Sequence, residues 1–296
     1  MSANVSMGVR RRSARSGRVA WQRRLALVQR SVVMGLLVLL AISTVAPFVI
    51  MLLVSLQRNM VAIVFPLPID PRQFTLDNFA TLIRQTQVLR WLLNSMYVTT
   101  VGTCSTVLTS SLAAYAFSRG DFIGKNLIFM LLMGILMVPE SARIVPVYII
   151  LSQLKLINTY WALIGPWFAS AFGTFMLRQS YLGIPRDYDD AALIDGASTF
   201  RIYWNVLLPQ LGPSLATLTI IRFMAQWNEF LYPMIITSKA EMRTLTVGLG
   251  TVVRAGGPDA GLTMAGAAMG FIPTFIIFII GQRYIIQGVA LSGLKG

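Results

Sequence analysis

The chain has 296 residues, 55% of them hydrophobic and only 12% charged, with a mean hydropathy of +0.67 and a formal net charge of +14. That charged share is about half of what a soluble domain carries, so a soluble fold is excluded; apolar runs recurring from residue 31 almost to the end mark an integral membrane protein. The absence of histidine and the single cysteine, Cys104, remove serine–histidine catalysis, zinc–histidine sites and internal disulfides.

In chain order, residues 1–30 form a basic tail. Eight arginines lie there (Arg10, Arg11, Arg12, Arg15, Arg18, Arg23, Arg24 and Arg30), with no acid among them. A basic run directly before a hydrophobic span holds that end in the cytoplasm against anionic lipid, so the positive charge predicts a bilayer and not nucleic acid. The run RRLALVQRSVVMGLL looks like an export signal, but the apolar stretch 31–56 exceeds a signal core of about 7–15 residues. It reads as a retained first span.

A spanning helix needs about 20 apolar residues, and lipid forces such runs to be helical. The pattern predicts an all-α fold with six spans, at 31–56, 92–117, 127–151, 158–177, 212–236 and 263–285, so that 31–296 is one transmembrane domain. The segment 57–91 starts irregularly at its prolines, and TLDNFATLI then offers a helix start with an acid in the first turn. The third span is interrupted by Pro139 and Pro146 and should bend near its outer end; Glu140 and Arg143 between them share a face and can neutralise each other.

Six spans put both termini on one side. Fifteen arginines and lysines fall on the side of the tail and nine on the other, with Arg222 inside a span. The positive-inside rule makes the tail side cytoplasmic, although without the tail the balance is seven against nine.

The loop 178–210 then faces the cytoplasm. Its run DYDDAALIDGAS (187–198) holds four of the eleven acids in the chain. Pro185 suits a first helical turn, and Asp187, Asp189 and Asp190 sit at the positive end of the helix dipole. Ala191 and Ala192 let another surface come close, and Asp195-Gly196 supplies a left-handed reversal. Phe200, Tyr203, Trp204, Leu207 and Leu208 then recur at helical spacing until Pro209, which is expected to stop the helix.

The fifth span carries Arg222, Asn228 and Glu229; Arg222 and Glu229 are seven apart, hence on one helix face. Charges inside a bilayer face a pathway or a partner, so these three are equally candidates for a substrate path and for structural pairing. The outer loop 237–262 has a glycine-rich tip, Ala255-Gly256-Gly257-Pro258. In the sixth span Gly266 and Gly270 form a GxxxG pattern suited to close packing within the subunit. GDFIGKN (120–126) reads as a turn and not a phosphate loop, having three residues between its glycines and Asn126 where a magnesium-binding hydroxyl belongs.

The loop carries a resemblance. Asp190-Ala191-Ala192, three residues, Gly196, nine residues from Ala197 to Asn205, then Val206-Leu207-Leu208-Pro209 resembles the "EAA" loop E-A-A-x-x-x-G-x(9)-I-x-L-P of bacterial ABC importer permeases. Asp190 stands for Glu and Val206 for Ile. WLLNSMYVTT…SLAAYAFSR (91–119), VPVYIILSQLKLINTYWALI (145–164), FMLRQSYLGIPRDYDDAALIDGA (175–197), WNEFLYPMI (227–235) and GLKG (293–296) look like the carbohydrate-uptake, maltose-type branch.

The resemblance implies a type I ABC importer permease in a bacterial cytoplasmic (inner) membrane, taking up sugars or oligosaccharides. It implies a second permease as heterodimer partner, two ATPase subunits and an extracytoplasmic binding protein. The helix near 187–196 would couple to an ATPase subunit, with Asp190, Ala191, Ala192, Asp195, Gly196, Ala197 and Pro209 as its residues. ATP and magnesium would belong to the partner ATPases, leaving this chain without cofactor, metal or catalytic role. The tip Ala255, Gly256, Gly257 and Pro258 would reach the binding protein or act as a spacer. Uptake of glycerol phosphate or its diesters is an alternative that Arg222 would suit. An ion-coupled secondary transporter using Arg222 and Glu229 is another, for which inverted repeats are expected and no convincing internal repeat is found.

Overall fold

A computed structural model describes residues 3–58, 60–63, 66–255 and 259–293, with side chains for 28–58, 60–63, 66–252 and 259–284. The arginines up to Arg24, Gly256, Gly257, Pro258 and Lys295 therefore lie outside the described side chains. Two compact units emerge, residues 1–54 and 55–296. The first is nearly all of one helix, α1 (Ala3–Leu56), which continues through Pro47. It starts at Ala3, not at 31, because Ala and Arg are good helix formers and no proline interrupts them before residue 47.

The second unit is all-helical among the described residues, save an isolated bridge between Gln57 and Phe74. A 3-10 turn at Pro71–Gln73, capped by Asp70, leads to α2 (Asp77–Gln85). The long α3 (Val88–Arg119) is the centre of the unit, packing against elements from every later third of the chain. One side of α3 is a column of buried small polar residues, among them Ser95, Thr99, Thr103, Thr106, Ser110 and Ser111. Thr106 returns its hydroxyl to the preceding turn, to Gly102 O at 2.8 Å, whereas the buried hydroxyls of Thr103 and Ser110 have no hydrogen-bond partner among the described residues. Close approach is the reason for the small side chains: a Cβ on Gly102 would fall on the Gln226 amide, and one on Gly173 would lie 2.6 Å from Ser110 Oγ.

Two described helices are long and apolar enough to cross a membrane, Val28–Leu56 and Ala260–Tyr284, or up to four when each of two bent pairs counts as one span. The expected third span is such a pair, α4 (Lys125–Ile135) and α5 (Glu140–Gln153), bent by 101°. Pro139 sits at the break, as expected, whereas Pro146 is absorbed inside α5. The expected fourth span is divided into α6 (Tyr160–Ile164), a 3-10 turn at Gly165–Trp167, and α7 (Ala171–Leu182). Pro166 and the Ser170 cap of α7 account for the division. The expected fifth span likewise breaks between α11 (Gly212–Trp227) and α12 (Leu231–Ile236). The GxxxG helix, α14 (Ala260–Gly293), stays continuous through Pro273.

The segment expected as an outer loop is largely structured. After a 3-10 turn at Ala240–Met242 comes α13 (Leu245–Ala255), packed against α3 and α14. Glycine along α13 reflects contact and not looseness: a Cβ on Gly248 would enter the Trp91 indole, and one on Gly266 of α14 would lie 2.8 Å from Leu249.

Candidate functional site

Two regions gather the residues singled out in the sequence. The first follows α7. The short helix α8 (Asp187–Ile194) has Asp187, Asp189 and Asp190 in its first turn. It ends at Asp195, where Gly196 takes φ +76°. The Gly196 N–H donates to Leu193 O (3.0 Å) and the Ala197 N–H to Ala192 O (2.9 Å). This pair of bonds is a Schellman motif, which needs the left-handed residue that glycine supplies. Ser198 then caps the next helix, α9 (Thr199–Arg201), through the Arg201 N–H.

Pro209 does not stop this helix, contrary to expectation. The turn widens into a π-helix over Ile202–Leu207, and α10 (Leu208–Gln210) continues with Pro209 in its first turn. The Leu208 N–H reaches back to Tyr203 O. The wide turn accommodates a residue that has no N–H to give and whose ring would crowd an ordinary α turn. The chain bends by 78° only afterwards, at Leu211-Gly212.

Two faces of α8 differ sharply. Ala192 is buried in a core with Leu177, Tyr181, Ile202, Tyr203 and Leu207. Beneath it the hydroxyls of Tyr181 and Tyr203 meet Ser111 Oγ at 3.2 and 3.1 Å. Asp190, Ala191 and Asp195 are exposed. So are Tyr188, Leu193, Phe200 and Trp204, and Ile194 is 87% exposed. Among the described residues Asp190 has no ion pair. Asp189 has one: its Oδ2 accepts from Arg119 Nε at 3.0 Å, and Arg119 also donates to Ile184 O at 2.8 Å. Sequence reasoning missed this clamp; the available signal was an arginine closing α3.

The second region is a cavity of about 260 Å³ whose walls include Glu140, Arg143, Trp167, Phe172, Arg222 and Glu229. Arg222 rises from α11 with its guanidinium 4.7 Å from the centroid of the Trp167 ring, and its Nε is buried without a hydrogen-bond partner. Glu140 and Arg143 pair at 3.6 Å, as their spacing predicted. Glu229 lies in the break after α11, not on the helical face of Arg222, and its Oε1 accepts the Tyr232 N–H in the first turn of α12. The two still border one cavity. Asn228 does not: it is exposed and returns its amide to Met224 O at 2.8 Å. Ala255 ends α13, while Gly256, Gly257 and Pro258 lie outside the described residues.

Known proteins share both sequence and fold with this chain. Residues 84–290 match the family model described as "Binding-protein-dependent transport system inner membrane component". The arabinooligosaccharides transport system permease protein AraQ of Halalkalibacterium halodurans is 36% identical over 243 residues, 82% of this chain and 86% of the relative. The trehalose/maltose transport system permease protein MalG of Thermococcus litoralis is 31% identical over 264 residues, 88% and 94% respectively. The sn-glycerol-3-phosphate transport system permease protein UgpE of Yersinia pestis is 34% identical over 203 residues, 68% and 72%. Among solved structures, a chain of a bacterial ABC transporter involved in the import of the acidic polysaccharide alginate superposes with a TM-score of 0.75, at 20% identity, over 88% of this chain and 96% of that one. The extent of the family match and the identity to these relatives lead to one conclusion: this chain belongs to the family of binding-protein-dependent transport system inner membrane components.

Proposed function

We propose that this chain is the permease subunit of an ATP-driven, binding-protein-dependent importer of sugars or oligosaccharides. In this reading it crosses the inner membrane six times with both termini in the cytoplasm. It assembles with a second permease, two ATPase subunits and an extracytoplasmic binding protein. ATP and magnesium act in the ATPases, and this chain performs no covalent chemistry. The names of the arabinooligosaccharide and trehalose/maltose relatives support the substrate class.

One observation carries the coupling role: α8 is anchored by Ala192 and Asp189 on one side and presents Asp190 and Ile194 on the other, with Phe200 of α9 and Trp204 of the π-helix exposed after its turn. A rigid, exposed ridge that mixes apolar groups with an unpaired carboxylate fits a partner surface with a cleft and a basic residue. Closure of the ATPases would then pull on α8, and the fixed Schellman turn would pass that displacement to the π-helix and α11. The movement is a rigid-body switch biased by nucleotide.

The test is ATP hydrolysis and sugar uptake by the purified assembly in lipid, with and without binding protein. Gly196→Pro imposes φ near −65° on a residue at +76°, and Asp190→Lys reverses the exposed charge. Both variants should insert normally yet lose binding-protein-stimulated hydrolysis and uptake. Stimulation at the wild-type level in both variants would sink the coupling role. Uptake that follows an ion gradient without any ATPase would sink the importer reading itself.

A further inference from the structure

The cavity beside Arg222 has a chemistry of its own. A guanidinium within the region read as the fifth span needs hydrogen-bond acceptors. Arg222 has the face of Trp167 and, among the described residues, no acceptor for its buried Nε. The Nε itself is closed to the void, so an acceptor entering there would meet the terminal guanidinium nitrogens, which are not among the buried atoms. At about 260 Å³ that void is close to the lower end of small-molecule sites, roughly 300–1,000 Å³, and suits one small ligand or one end of a longer one.

The walls carry two cations, Arg143 and Arg222, against two carboxylates, Glu140 and Glu229. Glu140 and Arg143 hold each other at 3.6 Å, and Glu229 keeps one oxygen on the Tyr232 N–H. A free anion entering here meets two carboxylates, and a free cation meets two guanidiniums. The balanced lining favours a neutral ligand that offers acceptors and donors on adjacent atoms. A vicinal diol does so, since each hydroxyl accepts from a guanidinium and donates to a carboxylate. The rings of Trp167 and Phe172 supply apolar surface for the C–H face of a sugar ring.

We propose that this cavity is a sugar-binding site belonging to this chain, with Arg222 donating to ring hydroxyls, Glu229 accepting from them, and Trp167 and Phe172 covering the ring. The inference rests on the importer reading above and deepens it: this subunit itself takes part in choosing a neutral saccharide.

The experiment uses the complete assembly in proteoliposomes, with ATP inside and binding protein outside. The probes are radiolabelled arabinotriose, lactose, trehalose and sn-glycerol 3-phosphate. Arg222→Met and Glu229→Gln should each cut uptake of the preferred sugar at least tenfold and change the ratio among the sugars. Binding-protein-stimulated ATP hydrolysis should stay within about twofold of wild type, a split that a merely structural role would not give. Arg222→Lys should recover part of the uptake. Should Arg222→Met fail to assemble, Phe172→Ala, at a 41% exposed lining ring, reads the same site. Unchanged uptake and unchanged ratios in assembled variants overturn the site while leaving the importer reading intact. Preference of the wild type for sn-glycerol 3-phosphate over every sugar overturns the neutral class. Uptake of none of the four probes brings down the sugar-importer reading, and the inference with it.

Discussion

The Arg119–Asp189 pair offers the sharpest test of how α8 is held. The two side chains are 9% and 16% exposed and 3.0 Å apart, so this is close to a buried ion pair. Asp189→Ala leaves Arg119 charged, desolvated and reduced to its bond with Ile184 O. Removing one partner of a buried pair costs about 3–5 kcal/mol. The remaining carbonyl and the residual solvent contact lower that to about 2–3 kcal/mol here. At about 1.4 kcal/mol per factor of ten, the detached population of α8 rises about 30- to 140-fold. Hydrogen exchange followed by mass spectrometry on the protein in lipid nanodiscs reads this directly, through the amides of 187–196. Arg119→Met combined with Asp189→Leu should restore most of the protection, because apolar groups of similar volume replace a buried pair without leaving a lone charge. Exchange in Asp189→Ala within about twofold of wild type would refute the clamp. Equal lability of the double and single variants would refute the argument from an unpaired charge.

Two further outcomes concern the packing around α3. Asn94 is 2% exposed and fully used: its amide donates to Glu241 O (2.8 Å) and Arg243 O (2.9 Å), and its oxygen accepts from Tyr160 Oη (2.7 Å). Asn94→Leu orphans Arg243 O and the Tyr160 hydroxyl, at about 1–3 kcal/mol each, while Glu241 O keeps its bond from Arg90 Nε at 3.0 Å, so thermal melting in detergent should fall by several degrees; an unchanged Tm would show that water replaces the amide. Gly248→Ala forces a methyl into the Trp91 ring, whose Nε1 is tied to Ala240 O at 2.7 Å and cannot turn aside. The cost is about 1–3 kcal/mol, whereas Gly250→Ala, 3.1 Å from the partly exposed Phe230 ring, should be nearly neutral in the same melt.

Long apolar runs made the helical, membrane-embedded character legible, and Asp195-Gly196 made the turn legible because only a few residues take positive φ. Pro139 announced the bend between α4 and α5 for the same kind of local reason. What escaped the sequence depended on distant partners. Residues 245–255 fell inside the expected outer loop 237–262, yet they form a helix that packs closely against distant surfaces, with Gly248 against Trp91 and Leu249 against Gly266. The break at Asn228–Phe230 has neither proline nor glycine to mark it; across it Glu229 Oε1 accepts the Tyr232 N–H in the first turn of α12. For the cavity, Arg222 and Glu229 stood out as charges in an apolar run, but Trp167, Phe172 and the Glu140–Arg143 pair come from other helices. No spacing rule joins them.

The π-helix at Ile202–Leu207 has a bearing on the length of this segment. One residue more is held in that turn than an α-helix would hold, and each residue of an α-helix turns the chain by about 100°. Deleting a single residue there would let the turn close to α geometry without unfolding it, and would leave the flanking segments close to their present phase, because the wide turn already absorbs the extra residue. Phe200, which precedes the wide turn, would keep its azimuth relative to α11. Within the interval from Ala197 to Asn205 the wide turn is therefore the place where one residue can be lost without rotating the exposed ridge, whereas a loss from an ordinary α turn would rotate it by about 100°.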